Sequence, residues 1–296
     1  MAGIALVGLI ALANGAEAHD YWLEPNFPFA SKGDELVLHL RMGARLDTEE
    51  ERPLQKDRVA RFDLFGNGAV RRDLLTAGTE GQTPVARVRL ESGAALAVLN
   101  RKPQTTTLEA ATFNAYLAEE GLDAIAAQRT RLGQTDTPAR EVYVRFLKAL
   151  IQERDPAAAT ANTLYKRRLN ERLEILLENN PGQLRTDGRL TVKVLFEGKP
   201  LPEVKVFACR RGKVEGQPPV ALSASTSAKG LAEFALDQPG LWLVRLVHMR
   251  AATTGGPTKA DANAPQWESY WAGYTFAARF ASAAGATPTP RPTATP

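Results

Sequence analysis

The chain has 296 residues, a formal net charge of +4, and charged side chains at 24% of its positions. That length accommodates two domains with cores of their own, while so mild a positive balance, with no run of five like charges, excludes an electrostatic footprint for nucleic acid. The single cysteine, Cys209, excludes an internal disulfide, so packed cores alone must hold the fold.

The first segment reads "MAGIALVGLIALANGAEAHDYWLEP". Ile4 to Ala13 is apolar or small throughout, and is too short for a membrane-spanning helix of roughly 20 residues. Ala16 and Ala18 then occupy the −3 and −1 positions of an Ala-x-Ala cleavage site. Residues 1–18 are therefore expected to be a secretory signal peptide, although no basic residue precedes the apolar run. Cleavage after Ala18 makes His19 the mature N-terminus and places the protein in the periplasm or another extracytoplasmic space. No second apolar run of membrane length follows, so a transmembrane protein is not expected.

Residues 19–106 read as a β domain. "DELVLHLRMG" alternates Leu36, Leu38, Leu40 and Met42 against Val37, His39 and Arg41, a period of two. "VARFDLFGNG" and "VARVRLESGAALAVLNRKP" continue the pattern around Gly-rich turns. Residues 107–180 are expected to be a helical insert. Thr107 is placed as its N-cap and Gly121 as a break, and "AREVYVRFLKALIQE" behind Pro138 spaces Val142, Phe146, Leu147 and Leu150 for one buried helical face. "NTLYKRRLNERLEILLENNPG" reads either as one long helix, with Lys166 to Arg168 on a solvated face, or as a helix entering a short strand at Leu173 to Leu177. Residues 181–280 return to short strands about ten residues apart, the pattern of a second sandwich with Cys209 as a small buried hydrophobe. The Pro/Thr-rich stretch 281–296 is expected to be disordered or extended. The fold class is mainly β, with two β-sandwich-like domains and a helical insert.

Particular motifs sharpen this reading. "VLFEGKPLPEVKVFA", "TSAKGLAEFAL" and "PGLWLVRLVHM" resemble the Ig/transthyretin-like sandwiches of carboxypeptidase regulatory domains. The His-Asp-aromatic-Trp-Leu-Glu-Pro start, a Phe113-x-x-Tyr116-Leu117-x-Glu119-Glu120-Gly121-Leu122 motif, Tyr143-x-Arg145-x-x-Lys148-Ala149-Leu150, and the strand from Trp267 to Phe276 together resemble an uncharacterised exported bacterial domain-of-unknown-function family. That family is labelled nickel-uptake-like, and the resemblance implies an extracytoplasmic component of metal transport.

The resemblance directs attention to the histidines. A mature N-terminal His19 offers two nitrogen donors, its α-amine and its imidazole Nδ1, and a distant histidine could supply a third. Such a set suits Cu, Ni or Co as divalent ions. His248, near the end of "LWLVRLVHM", is the candidate partner, and His39 is read as a surface or interdomain residue. Asp20, Glu24 and Glu174 are candidates for the shell around the metal, and Trp267, Tyr270 and Trp271 for a ligand surface, against the plainer reading of sandwich core. No Gly-rich phosphate loop, Gly-x-Ser-x-Gly or His-Glu-x-x-His occurs, so nothing marks an enzyme. The expected function is metal capture and delivery to a membrane transporter or receptor. The alternatives are a non-enzymatic module recognising a cell-surface protein or glycan, and a copper oxygenase.

Overall fold

Alternating and β-branched residues drive most of the chain into strands. The structure, a computed structural model, describes residues 19–68, 71–159, 162–185, 187–211, 219–253 and 264–280. The expected signal peptide and the Pro/Thr-rich stretch lie outside the described residues. The first strands are β1 (Asp20–Pro25), β2 (Phe29–Ala30), β3 (Glu35–Ala44), β4 (Asp47–Arg52), β5 (Val59–Phe65) and β6 (Arg71–Asp73). A short helix α1 (Leu74–Ala77) precedes β7 (Ala86–Arg89), β8 (Ala95–Arg101) and β9 (Gln104–Leu108). Helices α2 (Ala110–Glu120) and α3 (Asp123–Arg131) lead into β10 (Ala139–Glu153), and α4 (Pro156–Ala159) into β11 (Leu173–Leu177). The remainder is β12 (Arg189–Phe196), β13 (Lys199–Pro200), β14 (Lys205–Arg210), β15 (Val220–Ser225), β16 (Leu231–Ala235), β17 (Gly240–Ala251) and β18 (Trp267–Ala278).

One sheet, ten-stranded among the described residues, organises the molecule in the order β15-β14-β17-β18-β10-β8-β5-β6, with β2 and β9 also paired to β10. The parallel pairing of β10 with β18, from Glu141 against Trp267 to Ala149 against Thr275, makes the sheet continuous. A smaller sheet of β1, β3, β4 and β7 covers part of one face, enclosing a core of Leu23, Leu36, Leu38, Leu40, Phe62, Leu99 and Ile151. Helices α2 and α3 cover the neighbouring part of that face through Phe113, Tyr116, Leu117 and Ile125 against Val247, Met249, Trp267 and Trp271. The opposite face packs on β11, β12, β13 and β16 around Trp242, Leu190, Val192, Tyr274 and Phe276. Trp22, Trp242 and Trp267 are almost wholly buried, each worth on the order of 3 kcal/mol of apolar transfer.

Most expected strands appear in place, and Gly121 ends α2 in the left-handed region at φ 69°, where a glycine has no Cβ to clash. The segment expected as a helix at 139–153 is instead the 15-residue strand β10. Its Phe146 and Leu150 enter one core while Leu147, Ala149 and Ile151 enter the other. Burial on both faces erases the alternation that marks a half-exposed strand, and leaves an apolar run that also satisfies helical spacing. Thr107 caps no helix; it lies within β9, and α2 starts after Glu109 without a side-chain cap. The open choice at 173–177 falls to the strand β11, preceded by only a 3-10 turn at Leu164–Lys166.

Candidate functional site

His19 stands at the rim of a cleft of about 120 Å³ lined by Asp20, Gly43, Ala44, Arg45, Glu119, Glu120 and Arg245. Four separate parts of the chain build it. The β1 start carries His19 and Asp20, the β3–β4 hairpin carries residues 43–49, and the end of α2 meets β17 through Glu120 and Arg245.

The hairpin is locally unusual. Arg45 and Leu46 occupy its turn with φ of 53° and 73°, conformations that two-residue hairpins normally assign to Asn or Gly. Non-glycine residues held there cost about 1–3 kcal/mol each. The strain is offset by what the turn reaches: Leu46 is fully buried against Trp22 and Leu243, and the Arg45 backbone N–H donates to Asp20 Oδ2 at 3.1 Å. The pairing then slips by one residue. Met42 faces Glu50 and Gly43 faces Thr48, which leaves Glu49 as the extra residue of a β-bulge. Gly43 is required there because a Cβ would run into the Asp47 carbonyl oxygen. A bulge re-aims the side chain it adds, and Glu49 Oε2 lies 3.1 Å from His19 Nδ1.

Beneath this rim sits a buried ionic triad. Arg245 Nε pairs with Asp20 Oδ1, and Arg245 Nη2 donates to Glu120 Oε1 at 2.5 Å. Burial pulls the Arg245 guanidinium pKa down, but Asp20 and Glu120 outweigh it, so the pKa is raised and the charge is fixed. Burial pushes the Glu120 carboxyl up, and Arg245 only partly offsets that. Glu120 Oε2 is buried without a hydrogen-bond partner. At the edge, Arg45 Nη2 reaches Glu119 Oε1 at 3.5 Å. With Asp20, Glu49, Glu119 and Glu120 against Arg45 and Arg245, the cleft region carries a negative excess and favours cations.

The family model described as a domain of unknown function, DUF4198, matches residues 16–250, a span that includes every cleft residue. The chain belongs to the DUF4198 family. No curated protein matches it. Among solved structures, the D0-D1 domain of Intimin is similar over 87% of this chain and 97% of its own, at 12% identity and a TM-score of 0.19. Similarity that slight carries no argument.

The other residues singled out in this DUF4198 chain do not converge on His19. His248 and Arg245 are three positions apart on β17, so they project from opposite faces of the sheet. Arg245 faces Asp20, whereas the His248 ring sits 4.5 Å from the Phe196 ring, on the β12 side. A three-nitrogen site using both His19 and His248 is therefore not assembled. Burial, with Arg250 adding to it, lowers the His248 pKa to about 4. Glu174 lies in the core on that same opposite face, bonded to Lys148 Nζ at 2.8 Å and to the Leu169 and Asn170 amides. Glu24 accepts from Trp22 Nε1 at 2.9 Å and from Arg211 Nη2 at 2.6 Å, which ties β1 to the end of β14. His39 is held by Glu51 at 2.8 Å.

Trp267, Tyr270 and Trp271 form no ligand surface, being only 1%, 2% and 5% exposed. The two tryptophans pack under the helices, with Trp271 stacked on Tyr116 at 5.5 Å. Tyr270 faces the other way, donating to Glu268 Oε2 at 2.9 Å. Among the described residues, no group of three or more His, Cys, Asp and Glu side chains gathers in metal-ligating geometry. No described helix is long and apolar enough to cross a membrane.

Sequence reading passed over Arg45, Glu49 and Arg245, and gave Glu119 and Glu120 no role. The last two stood within the Tyr-Leu-x-Glu-Glu-Gly-Leu motif. The turn at 44–47 carries no Gly, Asn or Pro, so the sequence does not mark it.

Proposed function

We propose that this DUF4198 protein is an extracytoplasmic metal-capture factor whose site is created by cleavage after Ala18. The observation that carries the reading is the 3.1 Å separation of His19 Nδ1 and Glu49 Oε2 at the cleft rim. Two cis ligands about 2.1 Å from one ion stand about 3.0 Å apart, so this pair is spaced to share a metal. Cleavage frees the His19 α-amine, which closes a six-membered chelate ring with Nδ1. The resulting two nitrogens and one carboxylate oxygen suit Ni(II), Co(II) or Cu(II). Because the donors sit on a half-exposed rim, with His19 at 25% and Glu49 at 49% side-chain exposure, the ion remains open to transfer to a membrane partner.

The test is calorimetric titration of Ni(II) into the chain beginning at His19. His19→Ala, and acetylation of the wild-type α-amine, should each weaken binding by about 100-fold or more, the loss of a chelating donor. Unchanged affinity in both would overturn the proposal.

A further inference from the structure

Glu120 presents a problem that the capture site alone does not solve. Its side chain is 4% exposed, Oε1 is committed to Arg245, and Oε2 has no hydrogen-bond partner although the residue lines the cleft. A buried, unpaired carboxylate oxygen is costly unless something donates to it. The cleft that Glu120 lines, about 120 Å³, has room for several waters. A six-coordinate ion held by two nitrogens of His19 and one oxygen of Glu49 keeps up to three coordinated waters.

We propose that the cleft recognises the hydration shell of its cation, with a metal-bound water donating to Glu120 Oε2, and so selects six-coordinate, partly hydrated ions such as Ni(II) and Co(II). The inference rests on the capture reading for the identity of the inner donors. It adds that Glu120 is a positioning residue, acting through water and not through a bond to the metal. Metal-bound water is a stronger donor than free water, because the ion polarises its O–H bonds. Outer-shell hydrogen bonds of this kind typically change metal affinity by about 10–100-fold. Arg245 holds Glu120 in place, and the strained 45–46 turn holds the opposite wall.

The test uses hexaamminechromium(III), whose ammine ligands do not exchange. It presents N–H donors like a hydrated ion, cannot bond His19, and broadens nearby NMR signals. In the wild-type chain beginning at His19, the amides of Gly43, Ala44 and Glu119 should broaden selectively, and equally so in His19→Ala. In parallel, Glu120→Gln should bind Ni(II) about tenfold more weakly. Broadening confined to the acidic β4 edge at Glu50 and Glu51, or no selective broadening, overturns the inference without requiring any variant to fold. If His19→Ala loses Ni(II) while the probe ignores the cleft, capture stands and shell recognition falls. If His19→Ala keeps full Ni(II) affinity, capture falls and the chromium result decides the inference by itself.

Discussion

Replacing Arg245 by Met keeps much of its volume and its contact with the Phe207 ring, 5.2 Å from the guanidinium carbon, but removes the charge that two buried carboxylates share. The side chains of Arg245, Asp20 and Glu120 are 5%, 8% and 4% exposed. Asp20 keeps the Arg45 amide, while Glu120 loses its charged partner. Removing one member of a buried ion pair costs about 3–5 kcal/mol, a large share of the roughly 5–15 kcal/mol that holds a typical domain. The loss should depend on pH with a definite sign. Without Arg245, burial pushes the Glu120 carboxyl further up, so the folded variant binds a proton that the unfolded chain has released. Stability then falls as pH rises, at about 1.36 kcal/mol per unit for one proton. Urea unfolding should show a deficit of about 3–5 kcal/mol near about pH 7.5, of which up to about 2.7 kcal/mol returns near about pH 5.5. A deficit below about 1 kcal/mol, or one that does not change with pH, would refute the argument that the triad is electrostatically coupled.

Gly43→Ala should lower stability by about 1–3 kcal/mol and weaken Ni(II) binding, since a Cβ meets the Asp47 carbonyl and the Glu49 amide and must displace the bulge; thermal melts run beside metal titrations would show both. His248, with a pKa lowered from 6.5 to about 4, binds fewer protons folded than unfolded, so its contribution is present above about pH 6.5 and is lost as pH falls toward about 4. His248→Phe should flatten that part of the acid limb by about 2 kcal/mol, after discounting for partial exposure, as read from urea midpoints. The Cys209 thiol, pushed up to about 12 by burial, should react with a thiol reagent near about pH 8 only at the rate at which the chain unfolds.

How legible the protein was in its sequence follows from which faces its strands bury. Strands β3 and β5 show period-two alternation or clear turn boundaries, and were readable. Strand β10 was not, because Lys148 and Phe146 serve one core and Leu147 and Ile151 the other. His19 and Asp20, at the start of the site, stand out in the sequence because they follow the Ala-x-Ala pattern expected to be a cleavage site. The remaining parts of the site do not, because Glu49 depends on a bulge, and Glu120 and Arg245 lie 125 positions apart until α2 packs on β17. Strand parity would have separated His248 from the site had its neighbour Arg245 been recognised as the residue facing Asp20.

The capture account is tested most directly by the mass of the exported protein, denatured and native, after one equivalent of Ni(II). The account predicts a denatured mass that begins at His19 and a native peak heavier by one nickel ion, with the increment missing from His19→Ala. A mature chain that begins elsewhere, or a native mass without nickel, would contradict it.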